Sequence, residues 1–199
     1  SGDFYGTEQA VTIGAAGSAV IEFVDLNGRP TVLKADIPLS AGEIIDCAAM
    51  DIRELRTFYA EEMDKAKADG VLLSLHVKTT MMRVSDPMIF GHCVSVFYED
   101  VFKKHPAEMD EIMVNPDNGI AELYTKLQDL TEEKRAEIEA DIQEVYKVRP
   151  ELMMVDSSRG ITNLHVPSDV IIDATMPVMV RDGGKTWGPD NELHDTVAM

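Results

Sequence analysis

Basic residues are scarce in this chain: Lys and Arg number 18 against 36 Asp and Glu among 199 residues, a formal net charge of −18. A surface so negative repels phosphate backbones and anionic lipid headgroups, so neither nucleic acid nor a membrane is an expected partner. Cysteine is almost absent. Cys47 and Cys93 stand alone without CxxC spacing, which argues against a redox or metal role and leaves two buried thiols as the expectation. Long apolar runs are missing as well: Val71 to Leu75 is far short of the ~20 residues of a membrane span, and Ser1-Gly2-Asp3 opens no signal-peptide pattern. A cytoplasmic setting is the default that remains. Nor is there a glycine-rich phosphate loop, since no G-x-G-x-x-G or Walker sequence occurs and Gly14-Ala15-Ala16-Gly17 is too short to cradle a phosphate.

What is present suffices for one sizeable domain or two small ones, with 45% apolar residues. Ala19 to Leu26 partly alternates apolar with polar, Asn27-Gly28 follows, and Arg29 to Lys34 resumes an extended pattern. This predicts a β-hairpin with positive φ at both Asn27 and Gly28. Asp51, with Glu54 three residues on, opens a helix whose Ile52, Leu55, Phe58, Tyr59, Met63 and Ala66 recur at helical spacing until Gly70. Val71 to Lys78 suits a strand buried on both faces. Asp86-Pro87 then starts a helix expected to run to Lys103 or Lys104, with the Asp86 carboxylate as its cap. From Pro106 to Val148 the pattern is helical, broken by the loop Asn115 to Gly119 and resumed after Thr131. Beyond Pro150 it turns strand-like at Leu152 to Val155, Asn163 to Val166 and Val170 to Ile172.

The fold class that follows is α/β, an open mixed sheet flanked by helices with an N-terminal β-hairpin. Residues 1–36 form the hairpin region and 37–199 the α/β part, together one compact unit. The turn-rich stretch Gly183 to Asn191 and the apolar ending Val197-Ala198-Met199 carry no finishing signal, so a cut C-terminus is expected.

Two residues stand at predicted strand ends, where open α/β sheets bind ligands. Asp173 closes Val170-Ile171-Ile172; by itself it is a metal ligand or a cap. Lys78 closes the other buried strand; by itself it is a proton-transfer group or a solvated strand end. Asp169 rivals Asp173 and reads as structural. Arg83, Ser85, Asn163 and His165 line the same crevice or hold its loops. His76, His92 and His165 lack the spacing of a zinc site, and the methionines read as core filler.

The stretches His76-Val77-Lys78-Thr79-Thr80-Met81-Met82-Arg83-Val84-Ser85-Asp86-Pro87-Met88-Ile89-Phe90-Gly91-His92 and Arg159-Gly160-Ile161-Thr162-Asn163-Leu164-His165-Val166-Pro167-Ser168-Asp169-Val170-Ile171-Ile172-Asp173-Ala174-Thr175-Met176-Pro177 resemble core motifs of the monomeric-type NADP-dependent isocitrate dehydrogenases. The resemblance runs from about Asp3 to the last residue, and that family's chains are several times longer. It implies a fragment of the large domain of an enzyme that converts isocitrate and NADP⁺ to 2-oxoglutarate, CO₂ and NADPH. It also implies Mg²⁺ or Mn²⁺ held in part by Asp173, and a catalytic Lys78 that works with a tyrosine later in the full chain. Tyr98, Tyr124 and Tyr146 lie outside the motifs and are not assigned that role. The family's remaining metal aspartates, its substrate-gripping Ser/Asn/Arg cluster and most NADP contacts have no counterpart in this chain, so the 199 residues alone are expected to be inactive. The parent is expected to be a monomer, while the fragment's bared apolar surface favours self-association. The alternative is a self-standing, non-catalytic α/β module that binds a metal or small ligand.

Overall fold

The computed structural model describes residues 2–199, which divide after Asp51 into two units. In the first, helix α1 (Phe4–Thr7) is capped by the Asp3 carboxylate, which accepts the Gly6 N–H at 2.7 Å. Strand β1 (Gln9–Thr12) will pair antiparallel with β4; between them β2 (Gly17–Val24) and β3 (Pro30–Leu39) form the expected hairpin, and β4 (Ile44–Cys47) follows. The hairpin's tip differs from the sequence expectation. Only Gly28 of the Asn27-Gly28 pair has positive φ, at 77°. The five-residue loop is organised instead by Asp25, whose carboxylate accepts the N–H groups of Asn27 (2.8 Å) and Arg29 (2.9 Å). These hydrogen bonds hold the Asp25 carboxyl below the usual range. Within this unit the two ribbons stay mostly exposed, Phe23, Val24, Leu26 and Leu33 included. Cys47 is exposed too, a correction to the expected pair of buried thiols, whereas Cys93 is fully buried and its thiol is pushed up by desolvation.

The second unit begins with helix α2 (Ile52–Asp69), which buries the stripe Leu55, Tyr59, Met63 and Ala66 and ends where Gly70 turns left-handed at φ 66°. Strand β5 (Leu72–Ser74), wholly buried, leads into a segment that stays extended to Val77. Helices α3 (Ser85–Phe97), α4 (Glu99–Lys104), α5 (Pro106–Glu111), α6 (Ile120–Lys126) and α7 (Glu132–Val148) follow. Strands β6 (Met154–Asp156) and β7 (Ile161–Thr162), helix α8 (Ile172–Arg181) and strands β8 (Lys185–Trp187) and β9 (Leu193–Ala198) complete it. β5 pairs parallel with β9, and β9 antiparallel with β8, a mixed sheet as expected. On its other edge the β5 segment makes parallel bridges, Leu73 to Leu152 and Val77 to Ile171.

Four local expectations are corrected. The helix expected from Asp86 to Lys104 breaks at Tyr98, and the Arg149 guanidinium donates to the freed carbonyls of Val96 and Phe97, both at 3.2 Å. Asp86 does not cap α3; its carboxylate reaches back to accept the Lys78 N–H at 2.6 Å. Val170 to Ile172 is no strand: Pro167 opens a 3-10 turn to Val170, Ile171 makes its single bridge, and α8 starts at once. Asn163 to Val166 is a turn as well.

Gly91 shows why the first motif carries a glycine inside a helix. A Cβ there would lie 1.9 Å from Asp117 Oδ1 and 2.8 Å from Asp117 N, on the 3-10 turn Pro116–Asn118. Gly91→Ala is therefore expected to destabilise the unit by about 1–3 kcal/mol in urea unfolding, because overpacking against backbone cannot relax by a rotamer change. A midpoint equal to wild type would contradict that packing.

Candidate functional site

The two residues singled out in sequence, ninety-five positions apart, meet. Lys78 Nζ lies 2.8 Å from Asp173 Oδ1 and 2.6 Å from Oδ2. Chain geometry brings them together in three steps. The Val77 N–H donates to the Val170 carbonyl (3.1 Å) and the Ile172 N–H to the Val77 carbonyl (2.8 Å), so the end of the β5 segment and the start of α8 run side by side. Past the bridge, the Asp86 carboxylate pins the Lys78 N–H and itself accepts the Ser85 hydroxyl at 3.0 Å. Thr79 Oγ1 then donates to the Pro167 carbonyl at 3.4 Å. Asp173 sits in the first turn of α8, not at a strand's end, where an acidic side chain suits the helix dipole.

Beneath the pair lies a buried polar line. Ser74 Oγ is 2.8 Å from His76 Nε2, and His76 Nδ1 is 2.6 Å from Thr175 Oγ1. Asn163 Nδ2 donates to Ser74 Oγ (3.3 Å) and to the Leu75 carbonyl (3.4 Å). Burial pushes the His76 imidazole below its ordinary range, so it is neutral at physiological pH. With both ring nitrogens engaged, His76 is no metal ligand. Its role was not legible in sequence, where only its distance of two from Lys78 hinted at it.

The other motif residues part company with this pair. Arg83 Nε donates to the nearby Thr80 carbonyl, and Asn163 is fully buried. Asp169 is half-buried within its 3-10 turn. Arg159 and His165 line a separate cavity of about 660 Å³ together with Tyr124, Tyr146, Leu152 and Met154, to which neither Lys78 nor Asp173 contributes. Tyr98 and Tyr146, hydroxyl to hydroxyl at 2.7 Å, are pushed to high pKa by desolvation and serve the core.

A divalent ion of the magnesium type takes hard oxygen donors, commonly one or two carboxylates with water or substrate completing the shell. Asp173 fits as one such donor: its side chain is 56% exposed and its partner, the Lys78 ammonium, already shows the carboxylate gathering positive charge. Among the described residues no group of three potential ligands includes it. The group that does gather is elsewhere: His105, Glu137 and Asp141 bring their ligand atoms within 4.8 Å of one another. Ammonium groups occupy it, Lys104 on Asp141 at 2.7 Å and Lys134 on Glu137 at 3.1 Å, so it is an ion-pair node joining the α4–α5 turn to α7.

A model of the family described as monomeric isocitrate dehydrogenase matches residues 1–199. The chain belongs to that family. It is 56% identical over 199 residues to isocitrate dehydrogenase (NADP) of Azotobacter vinelandii, 55% identical to isocitrate dehydrogenase (NADP) 2 of Colwellia maris, and 47% identical over 198 residues to isocitrate dehydrogenase (NADP) 2 of Mycobacterium tuberculosis. All of the chain is covered each time, and it spans 27% of the length of these relatives. Membership accounts for both quoted motifs belonging to one chain. No helix among the described residues is long and apolar enough to cross a membrane.

The ion-pair node makes a prediction in pH. Hydrogen bonds from Lys104, then His105, hold the Asp141 carboxyl below the usual range. A depressed carboxyl stabilises the fold above its unfolded value and loses that contribution as pH falls through the folded one. Asp141→Asn should thus lower the urea midpoint at pH 7, and the gap to wild type should close below about pH 4. A gap constant down to pH 2 would mean that the Asp141 charge contributes nothing.

Proposed function

We propose that the chain is part of an enzyme that oxidatively decarboxylates isocitrate with NADP⁺, inactive as these residues alone, with Lys78 in proton transfer and Asp173 as a ligand of Mg²⁺ or Mn²⁺. The single observation behind this reading is the contact of the Lys78 ammonium with both Asp173 oxygens, on side chains 30% and 56% exposed and so open to ligands. The substrate and coenzyme are carried over from the names of the relatives, and no residue of this chain is assigned to the coenzyme.

A divalent ion held by Asp173 would supply positive charge that makes a nearby substrate hydroxyl more acidic. Everything else follows from the chain's own groups. Lys78 stands beside that carboxylate with its backbone fixed by Asp86, which would put its amine within reach of a substrate hydroxyl bound next to Asp173. Proton transfer by a side chain needs hydrogen-bond reach, and a lysine's four-carbon stem gives Nζ room to swing from Asp173 to a substrate oxygen. As an ammonium it donates a proton; once that proton is given up it accepts one. Asp86 and Thr79 restrain the loop from which it swings. The negative net charge is compatible with an anionic substrate because the site itself pairs a cation with a carboxylate, and what the substrate meets is local. The reading includes a monomeric enzyme in the cytoplasm that takes no nucleic acid or membrane partner.

Lys78→Met, in the protein as its gene encodes it, should lower kcat at least ~100-fold with an unchanged circular dichroism spectrum. Wild-type turnover in that variant would remove Lys78 from the mechanism. Asp173→Asn should weaken Mn²⁺ binding at least ~10-fold, read by the free Mn²⁺ signal in electron paramagnetic resonance.

A further inference from the structure

Helix α8 is poorly anchored by its own hydrogen bonds at the turn that carries Asp173. Its N-cap, Ile171, offers no side-chain acceptor, and Pro177, four residues beyond Asp173, has no N–H to return to the Asp173 carbonyl. The backbone ties to the Lys78 segment are few: Val77 and Ile171 form a single bridge with two hydrogen bonds, not a ladder. Something further has to hold the helix start against that segment.

The His76–Thr175 hydrogen bond does so. His76 precedes Lys78 by two residues and Thr175 follows Asp173 by two, so the 2.6 Å contact spans the same two elements as the Lys78–Asp173 pair, with His76 buried where Lys78 is partly exposed. On a helix, residues two apart point about 200° from one another, which agrees with Asp173 exposed and Thr175 half-buried. His76 is itself braced from behind, since Ser74 holds its Nε2 and Asn163 holds Ser74. Thr175 Oγ1 is fixed in turn by donating to the Ile171 carbonyl at 3.1 Å.

We propose that His76 and Thr175 form a positioning clasp that sets how Lys78 and Asp173 face each other. Neither touches the substrate or ion; both act through the residues two positions away. The inference rests on the proposed function for its consequence in catalysis, but the clasp itself is a property of the chain's own geometry.

Two pairs of variants test it in the protein as its gene encodes it. Thr175→Val keeps the shape and loses the hydroxyl, while Thr175→Ser keeps the hydroxyl. His76→Gln places its amide where Nε2 was and abandons Thr175, while His76→Asn places it where Nδ1 was and keeps Thr175. With neither metal nor substrate present, amide exchange at Ile172 should quicken about three- to tenfold in Thr175→Val and His76→Gln and stay near wild type in the other two. The Mn²⁺ dissociation constant should rise, and kcat fall, by similar factors in the same two variants, with KM for NADP⁺ unchanged. Equal effects in all four, in proportion to lost thermal stability, would reduce the clasp to ordinary packing and overturn the proposal. So would wild-type exchange in Thr175→Val. Should Lys78→Met stay active while Thr175→Val speeds exchange, the clasp stands and the role given to Lys78 falls.

Discussion

One pair of backbone hydrogen bonds, between Val77 and the turn at Val170 to Ile172, sets where Lys78 and Asp173 meet. It joins the last residues of a buried extended segment to the first turn of a helix, and the two charged groups that emerge beside it come within 2.8 Å. Were the bridge one residue out of register, every side chain along the extended segment would swap faces and Lys78 would point away from Asp173. The surrounding packing therefore serves a register. Leu72, Leu73, Leu75 and Val77 are nearly inaccessible, and β9 on one side and Leu152 on the other hold the segment at both edges.

Around that register the polar groups divide into two kinds. Some are consumed by holding the chain: the Asp86 carboxylate on the Lys78 N–H, the Arg149 guanidinium on the carbonyls at the break between α3 and α4, and the imidazole of His76 between two hydroxyls. Others face outward with capacity to spare, as Lys78 and Asp173 do. The ion-pair node at His105 and Asp141 belongs with the first kind despite its metal-like composition, because Asp141 is shared between Lys104 and the buried His105 and ties two helical segments together. What separates a structural carboxylate from a candidate ligand here is not the residue type but exposure: the Asp173 side chain is 56% exposed and the Asp141 side chain 23%.

Much of this was legible in sequence. The stripe of Leu55, Tyr59, Met63 and Ala66 announced α2 because helical period shows directly in apolar spacing, and Gly70 marked its end. The buried character of Leu72 to Val77 followed from a short, largely apolar run. The motif around Lys78 and Asp173 was visible as a pattern, and its family membership followed from the whole length of the chain. Less was legible where two plausible local roles compete. Asp86 before a proline reads as a cap, yet the Lys78 N–H lies closer to hand; Asn27-Gly28 reads as a two-residue turn, yet Asp25 gathers the loop's N–H groups first. Val170 to Ile172 has strand composition, but Pro167 sets up a 3-10 turn and leaves only one residue to bridge.

By itself, then, the sequence determined periodicity, burial and kinship, because these depend on residue type and spacing along the chain. Tertiary structure alone decided who meets whom: that Thr175 closes on His76, that Arg159 and His165 line a cavity apart from Lys78, and that Asp173 opens a helix where a strand end was expected. The physical reason is that a hydrogen-bonding side chain takes whichever partner the fold delivers within about 3 Å, and sequence spacing does not carry that distance across ninety-five residues.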